Sequence, residues 1–104
     1  MPQPATTQIV FDPRHDDRHP LPLTVAVELV GDEEEFWGTT TDISHKGVRV
    51  SVDNDFHIEA LVRVRIAGFP AIFGRVVWDF DGQTGIEFNE PLTKFALRAV
   101  LRHR

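Results

Sequence analysis

Apolar and polar residues alternate in several short segments of this chain. A period of two is typical of β-strands with one buried face, and it is clearest in residues 23–29, 48–52 and 62–66. Three further segments are rich in the β-branched and aromatic residues that strands prefer, namely 36–43, 71–78 and 85–88. Turn residues separate the segments, and Asp81-Gly82 is a strong hairpin signal. The pattern predicts about six short antiparallel strands, typical of an all-β sandwich or barrel.

The two ends of the chain lack this alternation. Residues 1–13 contain three prolines among mixed polar residues, which predicts a flexible N-terminal arm. Residues 14–104 are predicted to form one domain, with the barrel at about 22–89 and a C-terminal helix at about 91–103, beginning at Pro91. The helix would pack on the barrel through Leu97, Val100 and Leu101. A basic stripe on another face is interpreted as solvated, with partner docking as the alternative: Lys94, Arg98 and Arg102.

Composition narrows the function classes. A chain of 104 residues suits one domain. The absence of cysteine excludes disulfides, thiolate metal sites and cysteine nucleophiles. A formal net charge of -5 argues against general binding of DNA or RNA, which favours basic proteins. We find no signal peptide and no apolar run near the ~20 residues that a membrane helix needs, so we expect a cytoplasmic protein without membrane insertion.

Two motifs carry candidate binding chemistry. Arg14 and Arg18 form an RxxxR motif in a proline-bounded loop, and their flat guanidinium forks match phosphate oxygens or a guanine edge. Asp42, Ser44 and Gly47 form a D-x-S-x-x-G motif between the second and third predicted strands. Taken alone, the first is typical of solvated loop charges, and the second of a turn closed by a side-chain hydrogen bond.

The two motifs together resemble the PilZ domain family. Further segments match: 47–50 (GVRV) continues the second motif, and 75–78 (RVVW) with 85–88 (GIEF) resembles a late hairpin of the family. The resemblance covers residues 14–90. It implies a six-stranded antiparallel β-barrel with a C-terminal α-helix that binds the bacterial second messenger cyclic di-GMP.

The resemblance also implies roles for the motif residues. Arg14 and Arg18 would clamp the phosphates and guanine edges of the ligand. The Asp42 carboxylate would accept hydrogen bonds from guanine N1–H and N2–H, a match of acceptor to donors. Ser44 would bond a base or a phosphate, and Gly47 would leave room for the nucleotide.

Four residues beside the motifs are candidate secondary contacts: His45, Lys46, Arg49 and Trp78. Arg49 alternates with inward valines, so it should point out of the barrel. Trp78 is a candidate stacking surface for guanine, although a strand tryptophan is more often a core or barrel-end residue, and we favour that placement.

The loop before the barrel is acidic between its arginines. Residues 12–18 sum to -1, because Asp12, Asp16 and Asp17 outnumber Arg14 and Arg18. Long-range attraction of an anionic ligand is therefore modest, and binding would rely on directed hydrogen bonds. Both one bound molecule and a stacked pair remain open.

No other chemistry is expected. A metal site at His15, Asp16, Asp17 and His19 would need a rigid frame that a loop does not supply. Ser44 and His45 are neighbours, which point to opposite faces of a strand, so they do not form a catalytic pair. We expect neither a metal nor a cofactor, and no enzyme activity.

The sequence hypothesis is a stand-alone cyclic di-GMP receptor that changes conformation and signals through an unidentified effector protein. One alternative is a PilZ-like adaptor that works only through protein contacts. A second is a small barrel that binds single-stranded RNA or DNA, which the net charge of -5 and the absence of tyrosine disfavour. The process regulated stays open among motility, exopolysaccharide production, adhesion and virulence.

Overall fold

The structure is a computed structural model, and it describes residues 18–32 and 34–102. The elements are β1 (His19–Pro20), β2 (Thr24–Leu29), β3 (Glu35–Ile43), β4 (Gly47–Val52), β5 (Leu61–Ile66), β6 (Ile72–Phe80), β7 (Gln83–Phe88) and α1 (Lys94–Arg102). Six of the strands close into an antiparallel barrel in the order β3-β2-β5-β6-β7-β4, and β4 pairs in turn with β3. The predicted six-stranded antiparallel barrel with a C-terminal helix is confirmed. The predicted arm, residues 1–13, lies outside the described residues.

Strand β1 was not predicted. It pairs with β3, the strand with which β2 also pairs. His19 and Pro20 of β1 pair with the end of β3, while β2 pairs with its first half. Between β1 and β2 the regular ladder is interrupted, because Pro22 has no N–H to donate. Two backbone hydrogen bonds to β3 remain, from the Leu21 N–H to the Thr41 carbonyl and from the Thr40 N–H to the Leu23 carbonyl. The buried hydroxyl of Thr40 fills the gap, because it accepts from the Leu23 N–H at 2.9 Å and donates to the Leu21 carbonyl. This bend places β1 beside the end of β3.

Thr40→Val should lower the free energy of unfolding by about 1–2 kcal/mol, because it removes both side-chain hydrogen bonds at the bend without changing volume much. Urea denaturation measures this loss. Thr39→Val is the matched control, since Thr39 is exposed on the same strand. Equal stability of the two variants would show that the Thr40 hydroxyl does not hold the bend.

The barrel core comes from the inward positions of the alternating strands, with Leu97 and Val100 of α1 against it. Valine predominates, and the fully buried members include Val25, Val27, Val50, Val62, Val64 and Val76. Strand β2 departs from the simple alternation, because its outward residues Ala26 and Glu28 are also buried. Alternation alone therefore does not predict the burial of these two outward residues.

Glu28 is an acidic residue covered by the side chains of two arginines. The Nε of Arg63 donates to its carboxylate at 2.6 Å, and Arg65 lies at 3.3 Å. The hydrogen bond from Arg63 outweighs the opposing effect of burial, and it lowers the pKa of Glu28. A carboxylate with a lowered pKa in the folded state stabilises the fold above its unfolded pKa, and this contribution is lost as the pH falls.

Glu28→Gln should therefore be less stable than the parent at pH 7, and the difference should shrink as the pH falls towards the folded-state pKa of Glu28. Urea midpoints measured along an acid pH series test this. The exposed Glu34→Gln is the control, and it should follow the parent throughout. A gap between Glu28→Gln and parent that stays constant with pH would contradict the assigned role of the charge.

Helix α1 begins at Lys94. The sequence predicted its start at about Pro91, three residues earlier. Thr93 is the N-cap, since its hydroxyl accepts from the Ala96 N–H at 3.0 Å. Leu97 and Val100 face the core as predicted, and the three basic residues of the helix are exposed. Across the described ranges, no helix is both long and apolar enough to cross a membrane.

Candidate functional site

A row of laterally paired residues crosses five strands on the outer face of the barrel. It runs from Pro20 in β1 to Asp42 in β3, Arg49 in β4, Gly85 in β7 and Trp78 in β6. Laterally paired residues project to the same side of a sheet. Since the valines on either side of Arg49 are buried, this row faces outwards, as predicted for Arg49.

Two β-bulges put Asp42 and Trp78 of this row on the outer face. Thr40 is buried, so strict alternation would turn Asp42 inwards, but a register shift lies between them. Val76 is likewise buried, and a register shift lies between it and Trp78. A bulge inserts one residue into a strand and exchanges the faces of the residues beyond it. Both Asp42 and Trp78 are thereby available on the outer surface.

The Asp42 carboxylate lies between two guanidinium groups. One oxygen accepts from Nη1 of Arg18 at 2.8 Å, and the other lies 3.5 Å from Nη1 of Arg49. The Asp42 side chain is only 15% exposed, so the neighbouring cations compensate much of its lost hydration. The result is an acceptor flanked by donors that remain partly open to solvent.

Trp78 lies beside Arg49 rather than in the core. The guanidinium carbon of Arg49 is 5.7 Å from the centroid of the indole ring, within range of a cation–π contact. Gly85 provides the space, because a Cβ there would fall among the atoms of the indole. The predicted placement of Trp78 was a core or barrel-end position. Trp78 is 37% exposed, so it is not a core residue, and the bulge before it is the reason.

The loop after Asp42 is a turn closed by hydrogen bonds. The Ser44 N–H donates to the Gly47 carbonyl at 2.9 Å, and the Ser44 hydroxyl accepts from the Lys46 N–H at 3.2 Å. Ser44 is 4% exposed. A Cβ on Gly47 would collide with the carbonyl oxygen of Ile86, so glycine here permits β4 to approach β7 closely. The loop is thus a fixed part of the barrel end.

The segment that leads into α1 supports this loop. The Phe88 N–H donates to the Lys46 carbonyl at 2.8 Å, and the Leu92 N–H donates to the His45 carbonyl at 2.7 Å. His45 is half-buried and Lys46 is exposed. The backbone of the loop is therefore connected directly to residues 88–92.

The structure brings four of the sequence-predicted residues together on this outer face. Asp42, Arg49 and Trp78 belong to the row, and Arg18 contacts its Asp42. Ser44, His45, Lys46 and Gly47 form the adjoining turn. Arg14 lies outside the described residues, as do His15, Asp16 and Asp17 of the rejected metal cluster. Within residues 18–32 and 34–102, no group of side chains has the composition of a metal site. Sequence reasoning missed Gly85, although a glycine inside a strand is a signal of close approach.

Comparison with known proteins identifies the fold and the family. The family model described as PilZ domain matches residues 12–103. A solved structure, the PilZ domain of CeSA from a cellulose-synthesizing bacterium, superposes with a TM-score of 0.63 and 19% identity. The match covers 82% of this chain and 91% of that one, and it shows a shared fold. No curated protein matches the chain. PilZ domains are binding or adaptor domains rather than enzymes, and the family is one of cyclic di-GMP receptors. The chain belongs to the PilZ domain family.

Proposed function

We propose that this chain is a stand-alone cytoplasmic receptor for cyclic di-GMP, without enzyme activity, that passes its signal to a partner protein. The proposal rests on Arg18 together with three residues of the outer row, Asp42, Arg49 and Trp78. It combines two guanidinium forks, one carboxylate and one aromatic ring on a rigid barrel. These groups complement the phosphates, the polar edges and the flat faces of a guanine dinucleotide.

Asp42 is the group that selects guanine. Guanine presents N1–H and N2–H donors on one edge, and a carboxylate accepts both. In the free protein, Arg18 and Arg49 supply donors to Asp42. A guanine edge would take the place of Arg18 at 2.8 Å, so the carboxylate keeps a partner throughout. Arg18 would then turn its fork towards a ligand phosphate, which forms the stronger charge-assisted hydrogen bonds.

Arg49 and Trp78 provide a surface for stacking. The guanidinium plane and the indole ring lie together, and both are partly exposed. Stacking of a base on an aromatic side chain contributes ~1–3 kcal/mol. The Nε of Arg49 is buried and has no hydrogen-bond partner among the described residues.

Arg14 would close the site from the opposite side. It precedes Arg18 by four residues, a span of up to about 14 Å in extended chain. That distance is enough to reach across a nucleotide bound on the outer row. The acidic residues between the arginines reduce the long-range attraction, so the proposed affinity depends on contacts rather than on net charge.

Output to a partner would pass through the loop beside the site. Ligand contact with Ser44 or its neighbours acts on His45 and Lys46, whose carbonyls hold the segment before α1. Small displacements there would alter the surface around the helix. The messenger undergoes no reaction, and it shifts a conformational population.

Calorimetric titration with cyclic di-GMP tests the proposal, with cyclic di-AMP as the matched control. Adenine lacks the N1–H and N2–H donors that Asp42 would accept. We therefore expect saturable binding of cyclic di-GMP and none of cyclic di-AMP at the same concentration. Equal binding of both would overturn the role of Asp42, and absence of binding would leave the adaptor that works through protein contacts alone.

A further inference from the structure

Three connectors lie together at one end of the barrel. Successive antiparallel strands are joined at alternate ends, so the β2–β3, β4–β5 and β6–β7 connectors share the end opposite to helix α1, which follows β7. Hydrogen bonds link them there, because the Val30 N–H donates to the Leu61 carbonyl at 3.0 Å and the Phe56 N–H donates to the Asp79 carboxylate at 3.0 Å. The three connectors are therefore parts of one surface.

This surface is acidic throughout. The connectors comprise residues 30–34, 53–60 and 81–82, and they contain no lysine or arginine. Their described carboxylates are all exposed: Asp32, Glu34, Asp53, Asp55, Glu59 and Asp81. Glu59 pairs with Arg75, whereas the other five form no ion pair with any residue in the described ranges. We call this surface the acidic end.

Large apolar side chains are exposed among these carboxylates. Val30 and Ile58 are about half exposed, and Phe80, beside Asp81, is 78% exposed. Apolar side chains grouped on a surface mark contact sites. The occupant of the acidic end should therefore combine apolar side chains with cations.

The outer face of helix α1 has this composition. Leu97 and Val100 pack against the barrel, and the helical repeat puts Phe95, Arg98 and Arg102 on the opposite face. All three of these outer residues are exposed, and Phe95 is exposed by 83%. We call them the basic helix face.

Little nearby charge offsets these cations. Lys94 adds a third cation at the edge of the face, and Glu90 is the only carboxylate in residues 89–102. Neither Arg98 nor Arg102 forms an ion pair with a residue that the structure describes. Since exposed charges act over about 10 Å at ordinary salt, the helix attracts anionic groups while the acidic end attracts cationic ones.

The two surfaces cannot meet within one molecule, because they lie at opposite ends of the barrel. Every copy of the chain nevertheless carries both, so copies present complementary surfaces at equal concentration. We propose that copies of this chain associate head to tail, with the acidic end of one on the basic helix face of the next. The contact brings Phe80 to Phe95 and the carboxylates to Arg98 and Arg102. It uses no residue of the proposed cyclic di-GMP site.

The charge distribution favours this orientation. A formal net charge of -5 makes copies repel on average, so a contact that joins opposite charges is preferred. Single exposed ion pairs contribute little, but here several carboxylates face two arginines, and an aromatic ring offers a guanidinium a cation–π contact. The two surfaces differ, so the interface is heterologous and leads to a ring or an open chain of copies.

Sedimentation velocity of the full chain tests the proposal. Between about 10 µM and about 1 mM protein, a range suited to weak association, the weight-average mass should rise beyond twice that of the monomer. Raising the salt from about 0.05 M to about 0.5 M screens exposed charges and should weaken the association about tenfold. A parent that stays monomeric over the whole range, or that stops at a dimer, would overturn the head-to-tail contact.

Two matched variants each remove one surface. The helix variant carries Phe95→Ser and Arg98→Gln, and the end variant carries Phe80→Ser and Asp81→Asn. All four side chains are exposed, so both variants should fold, which circular dichroism checks. If one does not fold, Arg98→Gln or Asp81→Asn alone takes its place. Each variant should self-associate at least about tenfold more weakly than the parent, because aromatic and arginine side chains dominate contacts of this kind.

An equimolar mixture of the two variants separates a heterologous contact from other modes. The helix variant retains the acidic end, and the end variant retains the basic helix face, so one contact can form between them. The mixture should therefore form a dimer and nothing larger. A mixture as monomeric as its components, or parent-like association of either variant alone, would assign the contact to other surfaces and overturn the proposal.

Discussion

Arg18→Ala is expected to weaken cyclic di-GMP binding by about tenfold or more. Charge-assisted hydrogen bonds from a guanidinium contribute ~1.5–3 kcal/mol each, and 1.4 kcal/mol corresponds to about tenfold in affinity. Arg18 also holds Asp42 at 2.8 Å in the free protein, so its loss disturbs the carboxylate that meets guanine. Arg18→Lys keeps the charge but loses the flat fork, and it should recover only part of the affinity.

The matched control is Arg65→Ala, which removes the same charge from β5, away from the outer row. It should bind cyclic di-GMP as the parent does. The Arg18 side chain is 30% exposed, and partly exposed ion pairs contribute little to stability, so Arg18→Ala should remain folded. Calorimetry at one salt concentration compares the three variants. If Arg18→Ala binds cyclic di-GMP as tightly as the parent does, Arg18 is not part of the proposed clamp.

Alternation predicted the barrel strands well because most of their buried positions follow a period of two. The turn at Asp81-Gly82 was predicted because these residue types favour the backbone of a tight hairpin. Both residues do have positive φ, 55° and 79°. That conformation suits the right-handed twist of a hairpin, and glycine adopts it without steric cost. Local signals of this kind need no knowledge of distant residues.

The outer faces of the two bulged strands could not be predicted by the same rule. Counting in twos from Val76 puts Trp78 in the core, and counting from Thr40 does the same for Asp42. Each bulge adds one residue against its partner strand, and nothing in the local sequence fixes where that residue lies. Motif resemblance identified Asp42 as a site residue, whereas only the register shows how it meets Arg18 and Arg49.

The bend at β1 escaped prediction for a related reason. Prolines indicated that residues 19–22 avoid helix, but the hydroxyl that completes the bend belongs to Thr40, on another strand. Such a contact depends on the pairing of β2 with β3. Long-range satisfaction of backbone groups is visible only once the register is known.

Gly47→Ala should destabilise the ligand-free protein by about 3 kcal/mol, at the upper end of the usual cost of overpacking. The added Cβ would collide with the carbonyl oxygen of Ile86, an atom of the β7 backbone that no rotamer change can move. Relief would require β4 to separate from β7 at the Gly47–Glu87 pair. The hydrogen bond from the Ser44 N–H to the Gly47 carbonyl would then weaken, and the turn beside Asp42 would shift.

Urea unfolding without ligand measures this effect, and Ser51→Ala is the control because Ser51 is exposed on the same strand. An exposed substitution of this kind usually stays within about 0.5 kcal/mol of the parent. We expect cyclic di-GMP affinity to fall in Gly47→Ala together with stability, because the displaced turn carries Ser44. A variant as stable as the parent that nevertheless lost binding would show that Gly47 serves only to leave room for the nucleotide. Loss of stability in the absence of ligand would show that Gly47 is needed for the close approach of β4 to β7. The geometry of the site depends on this approach.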